Sequence, residues 1–204
     1  MTSRREFLQI GVAASTLPLC AGAQALAPLA DGDAGVDAVP LYKVLYDVRF
    51  PASVFFARRA AEWGVATQAM AGDMTRFWYD DLYHRWAQGP AAIAGLTAHG
   101  ALFCLERLAW DQRMRVVFRA EHKVDALGPV AHDFAGPAEL LRGACRAAGE
   151  PRWAAGMADV VTQCPRGLTA SAVAQAVSAD RGVRVRESEP LFSWLIAPRA
   201  RSWH

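Results

Sequence analysis

The sequence predicts an α/β fold, with a small, doubly wound and largely parallel sheet of about four strands and helices on both of its faces. Between positions 41 and 119, short apolar runs alternate with amphipathic stretches of about 10 to 17 residues, which favours right-handed crossovers between parallel strands. Apolar residues make up 53% of the 204 residues and charged residues 21%, so the chain can bury a core. A C-terminal helical extension that ends in a strand or hairpin is predicted to follow.

Glycine, proline and polar residues bound the elements of this core. Strands are predicted, from their apolar and β-branched composition, at residues 42–48, 65–70, 91–96 and 115–119. Helices are predicted to begin at Pro51-Ala52-Ser53, after Gly72-Asp73 and at Thr97, because these residues favour helix starts. In the second helix, aromatic residues recur at roughly helical spacing, which favours core packing over a wall that stacks on a ligand.

The C-terminal part lacks this regular alternation. It predicts helices at 137–148, 152–163 and 169–179, followed by a hairpin of 183–186 with 191–197. We expect a single α/β domain over 41–200, with the parallel core at 41–123 and the helical extension at 137–200. Residues 28–40 are small, acidic and bounded by proline, which is typical of a flexible leader.

The first 27 residues have the pattern of an export signal. Ser3-Arg4-Arg5-Glu6-Phe7-Leu8 opens an uncharged stretch that ends in small residues at Ala27. This resembles a bacterial twin-arginine (Tat) signal peptide, Ser/Thr-Arg-Arg-x-Phe-Leu-Lys, with Gln9 in place of the final lysine. The resemblance implies a partnership with the Tat translocation machinery and a periplasmic or otherwise exported protein. Tat substrates often load a cofactor before export, but the sequence does not identify one.

Cleavage of this signal is predicted after Ala23, Ala25 or Ala27, each of which ends a small-x-small triplet. The segment is only weakly hydrophobic, since it contains glycine, proline and many alanines, so no stable membrane span is expected after cleavage.

Several functional classes lack their sequence features. The net charge of +2 gives no electrostatic case for nucleic acid. There is no dinucleotide-binding Gly-x-Gly-x-x-Gly, no complete P-loop, no Gly-x-Ser-x-Gly and no Cys-x-x-Cys. No pair of histidines has metal-binding helical spacing, so no metal is assigned. A site assembled from His99, His122 and His132 with Asp73 or Asp133 stays open as an alternative.

The cysteines suggest one disulfide. Cys145 and Cys164 lie on neighbouring predicted helices and form the favoured pair in an oxidising compartment, although three unpaired thiols remain the alternative. Cys104 lies between two apolar residues of a predicted helix and is expected to be a buried thiol.

Polar residues follow all four predicted strands of the core. Parallel strands place their carboxyl ends at one edge of a sheet, and ligands of open α/β sheets bind there. The predicted ligand-binding residues are Asp47, Arg49, Ser53, Thr97, His99, Arg119 and Glu121. Asp73 and His122 are the candidate acid and base. The alternative is that strand ends are polar by default and that Asp73 and Thr97 only cap helices.

These observations favour an exported protein that binds a small molecule, or serves as an accessory protein, for an exported redox or catabolic system. The first alternative is a periplasmic hydrolase or isomerase that uses Asp73 and His122. The second is a structural subunit of an exported redox complex, in which Trp194 and Trp203 anchor a partner protein.

Overall fold

The computed structural model describes residues 41–124, 129–162, 171–178 and 189–198. In these residues, seven strands form one mixed sheet in the order β2-β1-β3-β7-β4-β5-β6. The strands are β1 (Leu41–Asp47), β2 (Thr67–Met70), β3 (Ala92–Ala98), β4 (Met114–Val124), β5 (Val130–Pro137), β6 (Ser171–Val177) and β7 (Leu191–Pro198).

Strand directions bring most carboxyl ends to one edge of the sheet. β1 is parallel to β2 and to β3, whereas β7 is antiparallel to both β3 and β4. β4 therefore runs in the same direction as β3, although β7 separates them. β5 is antiparallel to β4 and to β6. The edge where β1, β2, β3, β4 and β6 end, and where β5 and β7 begin, is called the carboxyl edge below.

Helices cover both faces of the sheet. They are α1 (Pro51–Glu62), α2 (Thr75–Phe77), a π-helical turn (Trp78–Leu82), α3 (Tyr83–Ala87), α4 (His99–Asp111), α5 (Ala138–Ala148) and α6 (Trp153–Thr162). Buried residues of α1, α5 and α6 pack in one cluster on the first face. Those of α3, α4 and the π-helical turn pack in another cluster on the second face.

A bulge in β4 changes which face its residues reach. Val116 packs in the second-face cluster, whereas Phe118 and Ala120 belong to the first-face cluster. Residues two apart in a regular strand share a face, so the change requires an irregularity, and the pairing with β7 shifts register between Val116 and Phe118. His122 follows Ala120 by two positions and therefore lies on the first face.

The α/β class is confirmed, and all four core strands predicted from the sequence are present. The expectation of a largely parallel sheet of about four strands is wrong, because β5, β6 and β7 add antiparallel pairings. Helices at 51–62, 99–111, 138–148 and 153–162 agree with the predicted ones within a few residues. The helix predicted after Gly72-Asp73 is broken into α2, the π-helical turn and α3.

The C-terminal predictions fail in two places. Residues 169–179 were expected to form a helix that begins at Thr169, but Ser171–Val177 is a strand that pairs with β5. Leu191–Pro198 is a strand, as expected, but it lies in the middle of the sheet rather than at its end. Its expected partner at 183–186 lies outside the described residues, as do Cys164, the leader and the signal segment.

The burial of two side chains is the opposite of what the sequence predicts. Trp194, expected at a partner interface, is fully buried between β3 and β4, so it cannot anchor a partner there. Cys104, expected to be buried, is exposed on the outer side of α4. Trp203 lies outside the described residues. Within the described part of the chain, no helix has the length and apolarity needed to cross a bilayer.

Gly95 makes room for Trp194 at the centre of the sheet. A Cβ atom at Gly95 would lie 2.6 Å from Trp194 Cζ2 and 2.7 Å from the Leu45 carbonyl oxygen. The backbone oxygen cannot move without disturbing the pairing of β1 with β3. The absence of a side chain at this position therefore allows the indole to pack against the sheet.

We predict that Gly95→Ala lowers the free energy of unfolding by about 1 to 3 kcal/mol, through overpacking against Trp194. Urea denaturation measures the change. Gly100→Ala is the matched control, because nothing lies within 4 Å of a Cβ at that position on α4. The control should be neutral or slightly stabilising. Equal stability of Gly95→Ala and wild type would contradict the close packing.

Candidate functional site

The residues predicted to surround one crevice are divided among three places at the carboxyl edge. Asp47, Arg49 and Ser53 meet between β1 and β3. Thr97, His99, Arg119 and Glu121 lie at or near the second face, whereas His122 is buried on the first face.

Asp47 and Arg49 form a bidentate ion pair. Asp47 is fully buried, and its Oδ1 and Oδ2 accept hydrogen bonds from Arg49 Nε at 2.9 Å and Arg49 Nη2 at 2.6 Å. The Arg49 side chain remains 47% exposed. Hydrogen bonding to Asp47 raises the pKa of the Arg49 guanidinium. A buried carboxylate thus fixes a half-exposed cation at the end of β1.

Ser53 connects the ends of β1 and β3. Its hydroxyl accepts a hydrogen bond from the Asp47 backbone N–H at 2.9 Å and donates one to the carbonyl oxygen of Leu96. The hydroxyl is fully buried. Ser53 therefore uses its proton inside the protein, which leaves it a positioning role rather than the predicted ligand-binding role.

The connections that leave β1 and β3 diverge at this point. β1 continues into α1 on the first face, and β3 continues into α4 on the second face. The surface above these two paired strand ends, called the β1–β3 crevice, is the topological position at which open α/β sheets bind ligands. It is the one part of the predicted site that the structure assembles.

Both helices that border the crevice begin without a side-chain cap. Phe50 is the N-cap of α1 and Ala98 that of α4, and neither makes a side-chain cap hydrogen bond. Neither helix has an acidic residue in its first turn. Unsatisfied N–H groups and the helix dipole therefore make both starts electropositive.

The loop after β2 forms another wall of the crevice. Gly72 has a φ of +84°, and a Cβ there would lie 2.9 Å from Arg49 Cζ. Glu189, which is itself half-exposed, lies 3.7 Å from Arg49 Nη2. Asp73 follows Gly72 but is exposed, and its Oδ1 accepts the Thr75 N–H at 2.8 Å. Hydrogen bonding to Thr75 lowers the pKa of the Asp73 carboxyl.

Thr97 is a structural residue. Its Oγ1 accepts a hydrogen bond from Trp194 Nε1 at 3.0 Å and donates to the Ala98 carbonyl oxygen at 3.2 Å. Thr97 is fully buried and does not cap α4, because the N-cap is Ala98. The expectation that Thr97 begins the helix is therefore wrong by one residue, and its hydroxyl serves the core.

A separate group of polar and aromatic side chains lies beside α4. The Phe192 ring lies 5.3 Å from the His99 ring and 4.7 Å from Arg119 Cζ. Glu121 lies 3.4 Å from Lys123 Nζ. Of these residues, the exposed His99 is the one that borders the crevice, since it is the first residue of α4.

The first face carries a buried hydrogen-bonded chain of His122, His132 and Ser193. His122 Nδ1 lies 2.7 Å from His132 Nδ1, and His122 Nε2 lies 2.8 Å from Ser193 Oγ. The three side chains are at most 1% exposed. The Trp153 ring packs over His122 with the ring centres 4.4 Å apart. His132 Nε2 is buried without a hydrogen-bond partner in the described residues.

Burial keeps both imidazoles neutral. Desolvation, followed by the charge of His132, lowers the pKa of His122 well below its usual value. Desolvation lowers the pKa of His132 to about 4. Whichever tautomer the chain adopts, one nitrogen of His132 has no hydrogen-bonding group opposite it.

The structure does not bring Asp73 and His122 together. Asp73 follows β2, and three strands separate β2 from β4, so the two strand ends are roughly 19 Å apart at about 4.8 Å per spacing. The proposed acid and base therefore cannot share a substrate. The alternative metal site also fails, because His99 lies beside the second face while His122 and His132 lie on the first. Over the described ranges, no three His, Cys, Asp or Glu residues are placed to hold a metal ion.

The role of Ser193 was not predicted from the sequence, and His132 was considered only as a metal ligand. The available signal was the alternation in the sequence of β5, where the larger Val130, His132 and Phe134 alternate with Ala131, Asp133 and Ala135. This alternation predicts a strand with His132 on its inner face. Nothing local predicts that β7 lies beside β4, so Ser193 could not be placed next to His122.

Comparison with protein-family models, with curated proteins and with solved structures found no match to the chain.

We predict that the buried histidines make the protein acid-sensitive. Both have a lower pKa when folded than when unfolded, so the unfolded chain binds more protons and stability falls as pH falls from about 6.5. His132 alone should account for a loss of about 3 kcal/mol by pH 4, from its pKa of about 4. Urea denaturation between pH 7 and pH 5 measures this slope largely before the carboxylates titrate.

His132→Asn can still offer His122 a polar atom at the Nδ1 position but does not titrate. It should flatten the dependence of stability on pH, even if it lowers stability at pH 7. His84→Asn, at an exposed histidine of α3, is the control and should leave the slope unchanged. A slope that is the same for His132→Asn and wild type would show that the pair does not cause the acid sensitivity.

Proposed function

We propose that the protein is exported and binds a small molecule, through a carboxylate or similar anionic group of that molecule, in the β1–β3 crevice. It would act there as a binding or accessory protein for an exported redox or catabolic system. The observation that carries the proposal is that α1 and α4, which follow the neighbouring strands β1 and β3, both begin uncapped, and that Arg49 lies between β1 and α1. Helix N-termini of this kind bind anions through their backbone N–H groups.

Arg49 is suited to orient such a ligand. Asp47 holds the Nε and Nη2 atoms of the guanidinium, which leaves Nη1 for a ligand on the exposed side. Because the side chain is already fixed, less conformational entropy is lost on binding. His99 at the start of α4 supplies a further hydrogen-bonding group.

The local charge limits the kind of anion. Asp47 neutralises the charge of Arg49, and Glu189 adds a negative charge 3.7 Å from Nη2. The preference for an anion then comes mainly from the partial positive charges of the two helix starts. This balance favours a ligand with one carboxylate over a multiply charged phosphate ester.

We predict that Asp47→Asn with Arg49→Gln weakens binding of a small carboxylate by about ten- to hundred-fold, the effect of losing one charge-assisted hydrogen bond. Replacing both residues avoids a buried unpaired carboxylate. A panel of small monocarboxylates screened by thermal shift, with native mass spectrometry of the hits, identifies the ligand, and calorimetry measures its affinity. Arg58→Gln, at an exposed arginine of α1, is the control. Unchanged affinity in the folded double variant would contradict the proposed site.

Export is predicted to depend on the arginine pair. Changing both Arg4 and Arg5 to lysine should leave the precursor in the cytoplasm, because the pair distinguishes a Tat signal from an ordinary secretory one. Cell fractionation followed by immunoblotting measures the distribution. Wild-type levels of exported double variant would show that another pathway carries the protein.

A hydrolase is the second candidate, and one observation favours it. Ser193 Oγ lies within hydrogen-bond reach of His122 Nε2, and His122 Nδ1 contacts a third group, His132, which is the arrangement of an activated nucleophile. The complete burial of Ser193 counts against it, since a substrate must reach the hydroxyl. Turnover of a p-nitrophenyl ester that is lost in Ser193→Ala would favour the hydrolase over the binding protein.

A further inference from the structure

The outer surface of α4 carries aromatic and basic side chains where a solvated helix usually carries polar ones. The inner surface packs through buried Ala101, Leu102, Leu105 and Ala109. On the other side, Phe103, Arg107 and Trp110 recur at helical spacing, and Phe103 is 51% exposed and Trp110 44% exposed. Arg115, at the start of β4, lies beside Trp110. These four residues are called the α4 stripe.

The arginines of the stripe are stacked on its rings. Arg107 Cζ lies 3.5 Å from the centre of the Trp110 ring and 5.5 Å from that of Phe103. Arg115 Cζ lies 5.6 Å from the Trp110 ring centre, and its Nη1 donates to the Met114 carbonyl oxygen at 2.7 Å. Such cation–π contacts hold the guanidinium groups at the surface beside the aromatic rings.

The stripe is part of a basic surface. Arg113, in the turn between α4 and β4, is exposed and has a φ of 58°. Together with Arg107 and Arg115 it gives three positive charges, against the exposed Asp111 and the partly buried Glu106. The net charge of these five residues is +1, and the positive groups lie beside the exposed rings, so the surface weakly attracts a negatively charged partner.

We propose that the α4 stripe docks the exported protein on an anionic phospholipid surface. Exposed Trp and Phe rings flanked by arginines are the side chains that lie at the membrane–water interface. Basic residues within a Debye length of anionic headgroups add the electrostatic attraction. The inference is independent of whether the β1–β3 crevice binds a ligand.

The shape of the stripe favours a lipid surface over a protein partner. The rings lie on the outward side of a helix, which is a convex ridge rather than a pocket. Protein hot spots bury their aromatic residues in a fitted pocket of the partner, whereas lipid headgroups rearrange around a ridge. A protein partner is the alternative, and the experiment below distinguishes it from a lipid surface.

The test is co-sedimentation of the purified exported protein with vesicles. The protein should bind vesicles of phosphatidylglycerol mixed with phosphatidylcholine, should not bind phosphatidylcholine alone, and should be released by salt as screening increases. Trp110→Ser should weaken binding at least about fivefold, through loss of the interfacial ring. Arg107→Gln with Arg115→Gln should weaken it by about 25-fold, at about fivefold for each charge.

Phe55→Ser with Arg58→Gln is the matched control. Phe55 is 56% exposed on α1, and Arg58 Cζ lies 5.9 Å from its ring, so the control removes one exposed ring and one arginine outside the α4 stripe. This control should bind vesicles as wild type does, and urea denaturation should show that all variants are folded. Absence of binding to the mixed vesicles, equal binding to neutral ones, or equal weakening in the control would each overturn the proposal. A protein that co-purifies through Trp110 while vesicles do not bind would also overturn it.

Discussion

Insertion of β7 between β3 and β4 is the constraint on which the sheet depends. β7 is the last described strand in the sequence, yet it is hydrogen-bonded on both sides and buried from Leu191 to Ala197. It satisfies the backbone N–H and C=O groups along the facing edges of β3 and β4. The same strand places Trp194 against Gly95 and Ser193 against His122, so it also decides the chemistry of both faces.

Local patterns account for the elements whose periodicity is clear. α1 begins at Pro51, which is favourable at the first helical position, and α5 and α6 have apolar residues at helical spacing. In β6, Ala alternates with Val or Gln over Ser171–Val177. Alanine has a high helix propensity, whereas the alternation favours a strand, so the local pattern is ambiguous. Pairing with the edge of β5 makes the segment a strand. The sequence of the segment alone does not show that β5 is there to pair with it.

The parts of the candidate site formed by residues close together in the sequence were predictable. The parts that depend on which strands pair in the sheet were not. Asp47, Arg49 and Ser53 lie within seven positions of one another at one strand end, so their meeting follows from the first strand and helix alone. Thr97 was predicted to bind the ligand because its neighbours in the sequence do not indicate that Trp194 donates a hydrogen bond to it. His122 was paired with Asp73 because both follow predicted parallel strands of one sheet. The structure places three strands between β2 and β4, and the face that His122 occupies depends on the irregularity before Phe118.

That irregularity in β4 decides how the strand would respond to a change in chain length. Val117 is the extra residue, because Val116 pairs with Ile196 and Phe118 pairs with the adjacent Leu195. If Val117 were deleted, strict alternation would therefore leave Phe118, Ala120 and His122 on the first face. Deletion of a paired residue such as Arg119 would instead carry Ala120 and His122 to the opposite layer and bring the ionisable Glu121 inward. One position in the middle of this strand should thus tolerate a deletion that its paired neighbours do not.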